Sequence, residues 1–220
     1  MRGDQGVILI GGQETRPEAL HGVAASGDFV ASGIPQNLDA ARFDLTARQI
    51  RPAAFLDRDG VLNVDRGYVH RIGDLEWMAT APAAVRLLNH AGYYVFVVTN
   101  QAGIARGLYQ EAAVNLLHAH MQDHLKLEGA RIDAFYYCPH HPEGVVKEFA
   151  LQCRCRKPEP GMLEQAARDW RIDRDRSFLI GDRDGDLAAA AAFNIRGIKF
   201  DAQECSLLEL VSRQLAVGVI

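Results

Sequence analysis

The chain has 220 residues, a length that suits one ordinary domain with its own core and at most a small appendage. Hydrophobic residues make up 48% and charged residues 24%, which excludes a disordered or fibrous protein. The net charge of -4 leaves no basic excess to attract nucleic acid, and no apolar run approaches the ~18 residues needed to span a bilayer. We therefore expect a cytoplasmic monomer that acts on a small molecule, with no nucleic-acid or membrane partner.

Residues 1–51 show no sustained hydrophobic period after a short apolar run at 7–10, and we treat them as an N-terminal extension of uncertain role. No small-residue cleavage pattern follows that run, so we expect no secretory signal. The stretch from Val7 to Arg16 resembles the opening of sugar nucleotidyltransferases. However, Glu14 stands where those proteins have Gly, and the rest of such a domain is absent, so we interpret the run as a remnant or an extra strand.

The pattern becomes regular from residue 52 onward, where strand-like and helical segments alternate. The apolar strand-like runs are 53–56, 94–98, 134–137, 178–180 and 195–200. The helical patterns are near 82–91, 111–127, 161–170, 186–193 and 206–215. This alternation predicts an α/β fold over residues 52–220, with a doubly wound parallel sheet between two layers of helices.

Polar side chains follow three of these predicted strands. Asp57 and Asp59 come after the first, Thr99 after the second, and Asp182 and Asp186 after the strand at 178–180. Turn formation or helix capping would explain one acid or two, but not acids at two strand ends of one sheet. Carboxylates gathered at one edge repel each other unless a cation neutralises them, and hard oxygen ligands suit Mg²⁺. The sequence therefore predicts a magnesium site at the carboxyl edge of the sheet.

Two neighbouring cations, Arg156 and Lys157, stand just before the helix predicted at 161–170. The usual place of Lys and Arg is a solvated surface. Together with the carboxylates and the Thr99 hydroxyl, however, they suit a phosphate, and backbone N–H groups of residues 99–103 would add further donors. Each signal alone is weak, and the four segments together predict a phosphate site.

The order of these motifs resembles the haloacid-dehalogenase (HAD) superfamily of phosphatases over roughly residues 52–200. The matching residues are Asp57-x-Asp59-Gly60-Val61-Leu62, Thr99-Asn100, Lys157-Pro158 and Gly181-Asp182-x-x-x-Asp186, with Val61 where Thr is common. The resemblance implies that Asp57 attacks phosphorus to form an aspartyl-phosphate and that Asp59 is the general acid and base. Thr99 and Lys157 would complete the catalytic set. Asp57, the Asp59 carbonyl and Asp182 would hold Mg²⁺, and Asp186 would orient them.

The four cysteines include a cluster with histidines in the loop after the strand at 134–137. Cys138-x-His140 and Cys153-x-Cys155 supply three thiolates and one imidazole, a set typical of a closed structural Zn²⁺ site. The alternative is a set of buried free thiols with surface histidines. Two closely spaced ligand pairs argue against that alternative. His140 fits the spacing better than His141, although the two remain interchangeable at this stage.

Longer stretches, among them Asp65–His70, Thr99–Gly107 and Cys138–Pro142, resemble the D-glycero-D-manno-heptose 1,7-bisphosphate 7-phosphatase family. The resemblance implies a minimal cap, an open site and removal of the 7-phosphate on the route to nucleotide-activated heptose, a precursor of the lipopolysaccharide core. The implied substrate contacts are Asp65, Arg66, Gly67, Tyr68, Thr99, Asn100, Gln101, Ala102, Arg156, Lys157 and Arg183. Arg183 stands where Lys is frequent.

Two alternatives remain open. A histidinol-phosphate phosphatase, or another phosphatase of small sugar phosphates, would share most of these motifs, although the long stretch from Pro142 to Gln152 favours the heptose family. A binding protein that kept the fold without turnover would also share them, but the intact Asp57, Asp59 and Lys157 argue against it.

Overall fold

The computed structural model describes residues 6–8 and 49–217. Its strands are β1 Gly6–Ile8, β2 Arg51–Leu56, β3 Tyr94–Asn100, β4 Ala134–Cys138, β5 Ile172–Gly181 and β6 Arg196–Lys199. Its α-helices are α1 Ala81–His90, α2 Ala102–Ala105, α3 Glu111–Leu127, α4 Gly161–Asp169, α5 Asp184–Ala192 and α6 Leu207–Val217. A 3₁₀ turn at Ile72–Asp74 lies in the connection between β2 and α1. Among the described residues, no helix combines the length and apolarity that crossing a bilayer requires.

The sheet has the strand order β1-β4-β3-β2-β5-β6, and β2 to β6 are parallel to one another. From β2 the chain adds β3 and β4 on one side, and it then crosses to the other side to add β5 and β6. The carboxyl ends of β3, β2 and β5 therefore lie side by side where the winding reverses, which is where open parallel sheets bind ligands. The predicted doubly wound α/β class is confirmed.

Both faces of the central strands are buried, because successive side chains of a strand point to opposite faces. In β2, Ala54 and Leu56 belong to an apolar cluster with helices α1, α3 and α6. Ala53 and Phe55 belong to a second cluster with α4 and α5. The continuous apolar runs in the sequence thus reflect a three-layer arrangement.

Strand β5 is longer than the predicted run at 178–180. Its first half is charged and partly exposed, so it carries no apolar pattern, yet it still pairs with Arg51 and Pro52 of β2. A register shift between Pro52 and Ala54 separates this pairing from the buried half of the strand. Backbone pairing at a solvated strand end leaves no hydrophobic signal, which explains the short prediction.

The N-terminal run predicted at 7–10 contributes strand β1, which pairs antiparallel with Phe135–Tyr137 of β4. The rest of the predicted extension up to residue 48 lies outside the described residues. Strand β2 begins at Arg51, one residue before the predicted boundary at 52.

Between β2 and α1, residues 57–80 form a small cap that consists of a tight turn, the 3₁₀ turn and two isolated bridges, Asp59 to Asn63 and Asn63 to Trp77. The predicted minimal cap is therefore present. It leaves the carboxyl edge of the sheet open to a cavity.

Candidate active site

Asp57 and Lys157 form the centre of the site. Asp57 directly follows β2, and its N–H donates to the Ile180 carbonyl oxygen at 2.9 Å, which fixes it beside β5. The Lys157 ammonium lies 2.8 Å from Asp57 Oδ1 and 2.5 Å from Asp186 Oδ1, and it donates to the Val98 carbonyl oxygen at 2.7 Å. This arrangement places one buried cation between two carboxylates at three strand ends.

Burial and charge oppose each other in this pair. Burial raises the pKa of Asp57 to about 6, although the Lys157 charge acts to lower it. Burial acts to lower the pKa of Lys157, but the charges of Asp57 and Asp186 outweigh burial and raise that pKa. Lys157 is therefore charged, and a further cation beside Asp57 would favour the ionised form of its carboxyl.

Asn100 holds Lys157 in place. Its Nδ2 donates to the Lys157 carbonyl oxygen, and the Lys157 N–H donates to its Oδ1, both at 3.0 Å. These two bonds connect the end of β3 to the loop before α4, across 57 residues of sequence. The Asn100 amide thus positions the lysine backbone, while the residue also lines the cavity.

Three carboxylates lie close enough to share one ion. Oxygens of Asp57, Asp182 and Asp186 lie within 4.8 Å of one another. Asp182 Oδ1 is buried and has no hydrogen-bond partner in the part of the chain that the structure describes, whereas Asp186 Oδ2 accepts from the Arg183 N–H at 3.0 Å. Burial raises the pKa of Asp182, an effect that Arg183 opposes. An unpartnered buried oxygen among carboxylates fits a hard divalent cation such as Mg²⁺.

Gly60 makes room for this arrangement. Its φ is +87°, and a Cβ atom there would lie 2.4 Å from Asp182 Oδ2. Any side chain at residue 60 would therefore push Asp182 away from the centre.

Asp59 lines the cavity, and hydrogen bonds from neighbouring side chains hold its carboxyl. Arg58 Nη2 lies 3.0 and 2.9 Å from its two carboxylate oxygens, and Asn63 Nδ2 donates to Oδ1 at 3.0 Å. Gln101 Nε2 donates to Oδ2 at 3.2 Å. The side chain is 19% exposed, so the carboxyl is oriented while part of its surface stays accessible.

Gln101 links Asp59 to two further residues. Its Nε2 also donates to Thr99 Oγ1 at 2.9 Å, and its Oε1 accepts from the Tyr109 hydroxyl at 2.8 Å. The Gln101 N–H donates to the Cys138 carbonyl oxygen. Of the backbone N–H groups of residues 99–103 that were expected as phosphate donors, the one of Gln101 is therefore taken by the adjacent strand end.

A cavity of about 520 Å³ opens above the centre. The predicted substrate contacts that line it are Asp65, Gly67, Tyr68, Thr99, Asn100, Gln101, Ala102, Arg156, Lys157 and Arg183. Asp65 Oδ2 accepts from Arg183 at 2.7 Å, which ties the cap turn to the start of α5. Tyr68, at a φ of 55°, is half-exposed at the cavity. Arg66 instead pairs with Glu76 and lies outside the lining.

The rim of the cavity is positively charged. Arg106, Arg156 and Arg183 all line it, and Arg156 Nη1 donates to the His140 carbonyl oxygen at 3.3 Å. Partial burial, with Arg156 and Arg106 nearby, lowers the pKa of His141, which lines the same rim. Such a rim would attract an anionic group.

The cysteine–histidine cluster lies behind this rim. Sulfur–sulfur distances among Cys138, Cys153 and Cys155 are 3.2, 3.2 and 3.5 Å, and His140 Nδ1 lies 3.3 Å from Cys155 Sγ. Ligands about 2.3 Å from a central zinc would be about 3.7 Å apart, so the spacing fits a tetrahedral ion. His141 is directed elsewhere, since its Nδ1 accepts from the Glu143 N–H.

The sequence did not single out several residues that support the site. Arg58 and Asn63 stand inside the Asp57–Asn63 turn but are not acids, and Tyr109 and His118 come from segments with ordinary helical or loop patterns. Only the proximity of Arg58 to two acids was a usable signal.

Comparisons with known proteins agree with this geometry. A profile of the HAD-hydrolase-like family matches residues 154–201. A D-glycero-beta-D-manno-heptose-1,7-bisphosphate 7-phosphatase of Rhodopseudomonas palustris is 49% identical over 154 residues, covering 70% of this chain and 86% of that protein. One of Salmonella typhi is 48% identical over 144 residues, covering 66% of this chain and 77% of that protein.

A solved structure agrees as well. The D,D-heptose 1,7-bisphosphate phosphatase of B. bronchiseptica, complexed with magnesium and phosphate, has a TM-score of 0.67 and 29% identity. It covers 76% of this chain and 99% of that chain. The chain belongs to the heptose 1,7-bisphosphate 7-phosphatase family of HAD hydrolases, and it is a phosphoric monoester hydrolase.

Proposed function

We propose that this enzyme removes the 7-phosphate of D-glycero-β-D-manno-heptose 1,7-bisphosphate, in the synthesis of nucleotide-activated heptose. The observation that carries the proposal is the charge layout of the cavity. Lys157 and the carboxylates form one phosphate-reactive centre, and three arginines on the rim offer a place for a second phosphate. Relatives named for this reaction match the chain over 66 to 70% of its length.

In the proposed reaction Asp57 Oδ attacks phosphorus while the bond to the sugar oxygen breaks, which gives an aspartyl-phosphate. Asp59 gives its proton to the departing oxygen, and it later takes a proton from the water that hydrolyses the intermediate. Lys157 offsets the charge of the phosphoryl oxygens, and Thr99 contributes its hydroxyl at the same strand edge. Asp57, the Asp59 carbonyl and Asp182 would hold Mg²⁺, which supplies electrostatic stabilisation of the phosphoryl group when bound.

The cysteine–histidine cluster serves a different purpose in this proposal. Cys138, His140, Cys153 and Cys155 would hold one Zn²⁺, with no ligand position left open, so this ion would be structural. It would fix the loop whose next residues are Arg156 and Lys157. We further propose that residues 52–220 form the catalytic unit and that it acts as a cytoplasmic monomer.

A turnover screen tests the substrate. Phosphate release is measured with Mg²⁺ on the β and α anomers of heptose 1,7-bisphosphate, on heptose 7-phosphate and on histidinol phosphate. We expect the β-bisphosphate to have the highest kcat/KM and to yield the 1-phosphate. A higher kcat/KM on histidinol phosphate, or release of the 1-phosphate, would overturn the proposed substrate while leaving the phosphatase chemistry intact.

A further inference from the structure

Arg58 lies between the two catalytic acids, and it is fully buried. Its guanidinium has a partner at every nitrogen. Nη2 lies 2.9 Å from Asp59 Oδ2, and Nη2 also donates to the Val69 carbonyl oxygen at 2.6 Å. Nε lies 3.3 Å from Asp59 Oδ1, and Nη1 lies 3.3 Å from His118 Nε2.

His118 completes this set from the middle of α3. Since an arginine nitrogen can only donate, His118 Nε2 is the acceptor and the ring proton is on Nδ1. Burial, and then the charge of Arg58, hold the pKa of His118 well below its usual range, so the ring is neutral. The ring stacks on Phe135 with centroids 4.5 Å apart, and its Nδ1 has no hydrogen-bond partner within residues 6–8 and 49–217. Burying an imidazole N–H without an acceptor costs free energy, so packing alone is a poor reason for a histidine at this position.

Stability alone is a weak reason for this arrangement. A buried arginine pays a large desolvation penalty, and an apolar side chain of similar volume often stabilises a core as well or better. The partners of Arg58 are instead functional: the carboxyl of Asp59 and the cap-turn carbonyl next to Tyr68. One guanidinium therefore connects the predicted acid to the turn that lines the cavity.

We propose that Arg58, itself held by His118, is a positioning residue that fixes the Asp59 carboxyl for proton transfer to the leaving oxygen. This inference rests on the proposed role of Asp59. In the step concerned, the Asp57 oxygen forms its bond to phosphorus and the bond from phosphorus to the sugar oxygen breaks. The electron pair stays on that oxygen, which takes the Asp59 proton and leaves as an alcohol. Arg58 transfers nothing and sets the direction of the Asp59 O–H.

The test compares leaving groups. An alcohol needs a proton when it departs, whereas p-nitrophenolate leaves well without one, so only the sugar phosphate depends strongly on the acid. We expect Arg58→Met to lower kcat/KM on heptose 1,7-bisphosphate about 10- to 100-fold more than on p-nitrophenyl phosphate. Because kcat/KM covers steps up to departure of the leaving group, the later hydrolysis of the intermediate does not contribute. Equal losses on the two substrates would overturn the inference.

The Asp59→Asn variant separates this inference from the proposed function. Asp59→Asn should also lose more kcat/KM on heptose 1,7-bisphosphate than on p-nitrophenyl phosphate, and we call this gap the leaving-group difference. Adding Arg58→Met to Asp59→Asn should not enlarge it. If Asp59→Asn shows the leaving-group difference and Arg58→Met does not, the positioning role of Arg58 fails while the proposed chemistry stands. If Asp59→Asn itself loses equally on both substrates, both fail.

Two further variants keep the test valid if Arg58→Met is poorly folded. His118→Phe keeps Arg58 and a ring of similar size but removes the acceptor, so it should reproduce the leaving-group difference at a smaller size. Gln122→Met is the matched control, because Gln122 lies one turn further along α3 and its side chain bonds the Ile132 backbone, at 3.1 and 2.9 Å, rather than the site. It should lower the Tm without any leaving-group difference. A difference in Gln122→Met as large as in His118→Phe would overturn the inference.

Discussion

The carboxylate cluster of Asp57, Asp182 and Asp186 and the cysteine–histidine cluster both gather potential metal ligands, but their surroundings differ. Asp57 and Asp186 of the carboxylate cluster line an open cavity, and Asp182 Oδ1 has no hydrogen-bond partner among the described residues. In the other cluster the four ligand atoms face each other, and Cys138 and Cys155 are part of the apolar core beside α4. An open, charged cluster suits a reacting group, whereas a closed and buried one suits a structural ion.

The two clusters meet in three consecutive residues. Cys155 belongs to the closed cluster, Arg156 to the rim and Lys157 to the carboxylate centre. We therefore expect the closed cluster to serve stability and the carboxylate centre to serve the chemistry, although one backbone segment joins them. A substitution in one cluster should then change stability, and a substitution in the other should change activity.

Asp57→Asn should have the largest effect on activity. An amide cannot attack phosphorus, so kcat should fall at least about 1,000-fold. The fold should persist, because Lys157 keeps Asp186 as its charged partner at 2.5 Å. Phosphate release and thermal unfolding are measured on the same preparation. Retention of more than a small fraction of the wild-type rate would remove Asp57 as the nucleophile.

Cys153→Ser should lower stability and leave most of the activity. Loss of one thiolate weakens a structural ion, so we expect the Tm to fall by at least about 5 °C and zinc to drop below one per chain. Well below that Tm, kcat should change far less than in Asp57→Asn. Elemental analysis and thermal unfolding check this, with Cys205→Ser as the matched control, since Cys205 is a free thiol outside the cluster. An unchanged Tm, or wild-type protein free of zinc, would contradict a structural zinc.

The sequence predicted the framework and the gathering of the strand-end acids, because both leave local signals. Apolar runs marked the buried strands, and acids at strand ends marked the centre. The partners of these groups come from distant segments. His118 meets Arg58 across 60 residues, and nothing in the helical pattern of α3 distinguishes it from a core residue. Asn100 was expected at the substrate, but its amide also holds the Lys157 backbone, which only the folded chain reveals.

Arg156→Ala should distinguish the rim from the centre. Loss of a charge-assisted contact to a second phosphate should lower kcat/KM about 10- to 100-fold on heptose 1,7-bisphosphate and little on a simple monophosphate. Lys157→Ala should impair both substrates alike, because Lys157 adjoins the phosphate that reacts. Steady-state kinetics of both variants on both substrates provide the measurement. Equal losses for Arg156→Ala would make Arg156 part of the general phosphate site instead.

Deleting residues 1–48 should have the smallest effect. Within that segment, strand β1 has β4 as its one neighbour among the described strands, and β4 and β3 separate it from the β2 and β5 ends that carry the acids. The bond from the Tyr94 hydroxyl to the Gln49 carbonyl oxygen would remain at the start of the shortened chain. We therefore expect kcat/KM within about 2-fold of the full chain, since catalysis depends on the positions of the reacting groups. The Tm should fall by a few degrees at most, because β1 contributes only 3 residues to the sheet.

The deletion also exposes the backbone edge of β4, so gel filtration accompanies the kinetics to detect edge-to-edge association. A monomeric shortened chain that loses more than about 10-fold in kcat/KM would place part of residues 1–48 in the catalytic unit and move its boundary from residue 52.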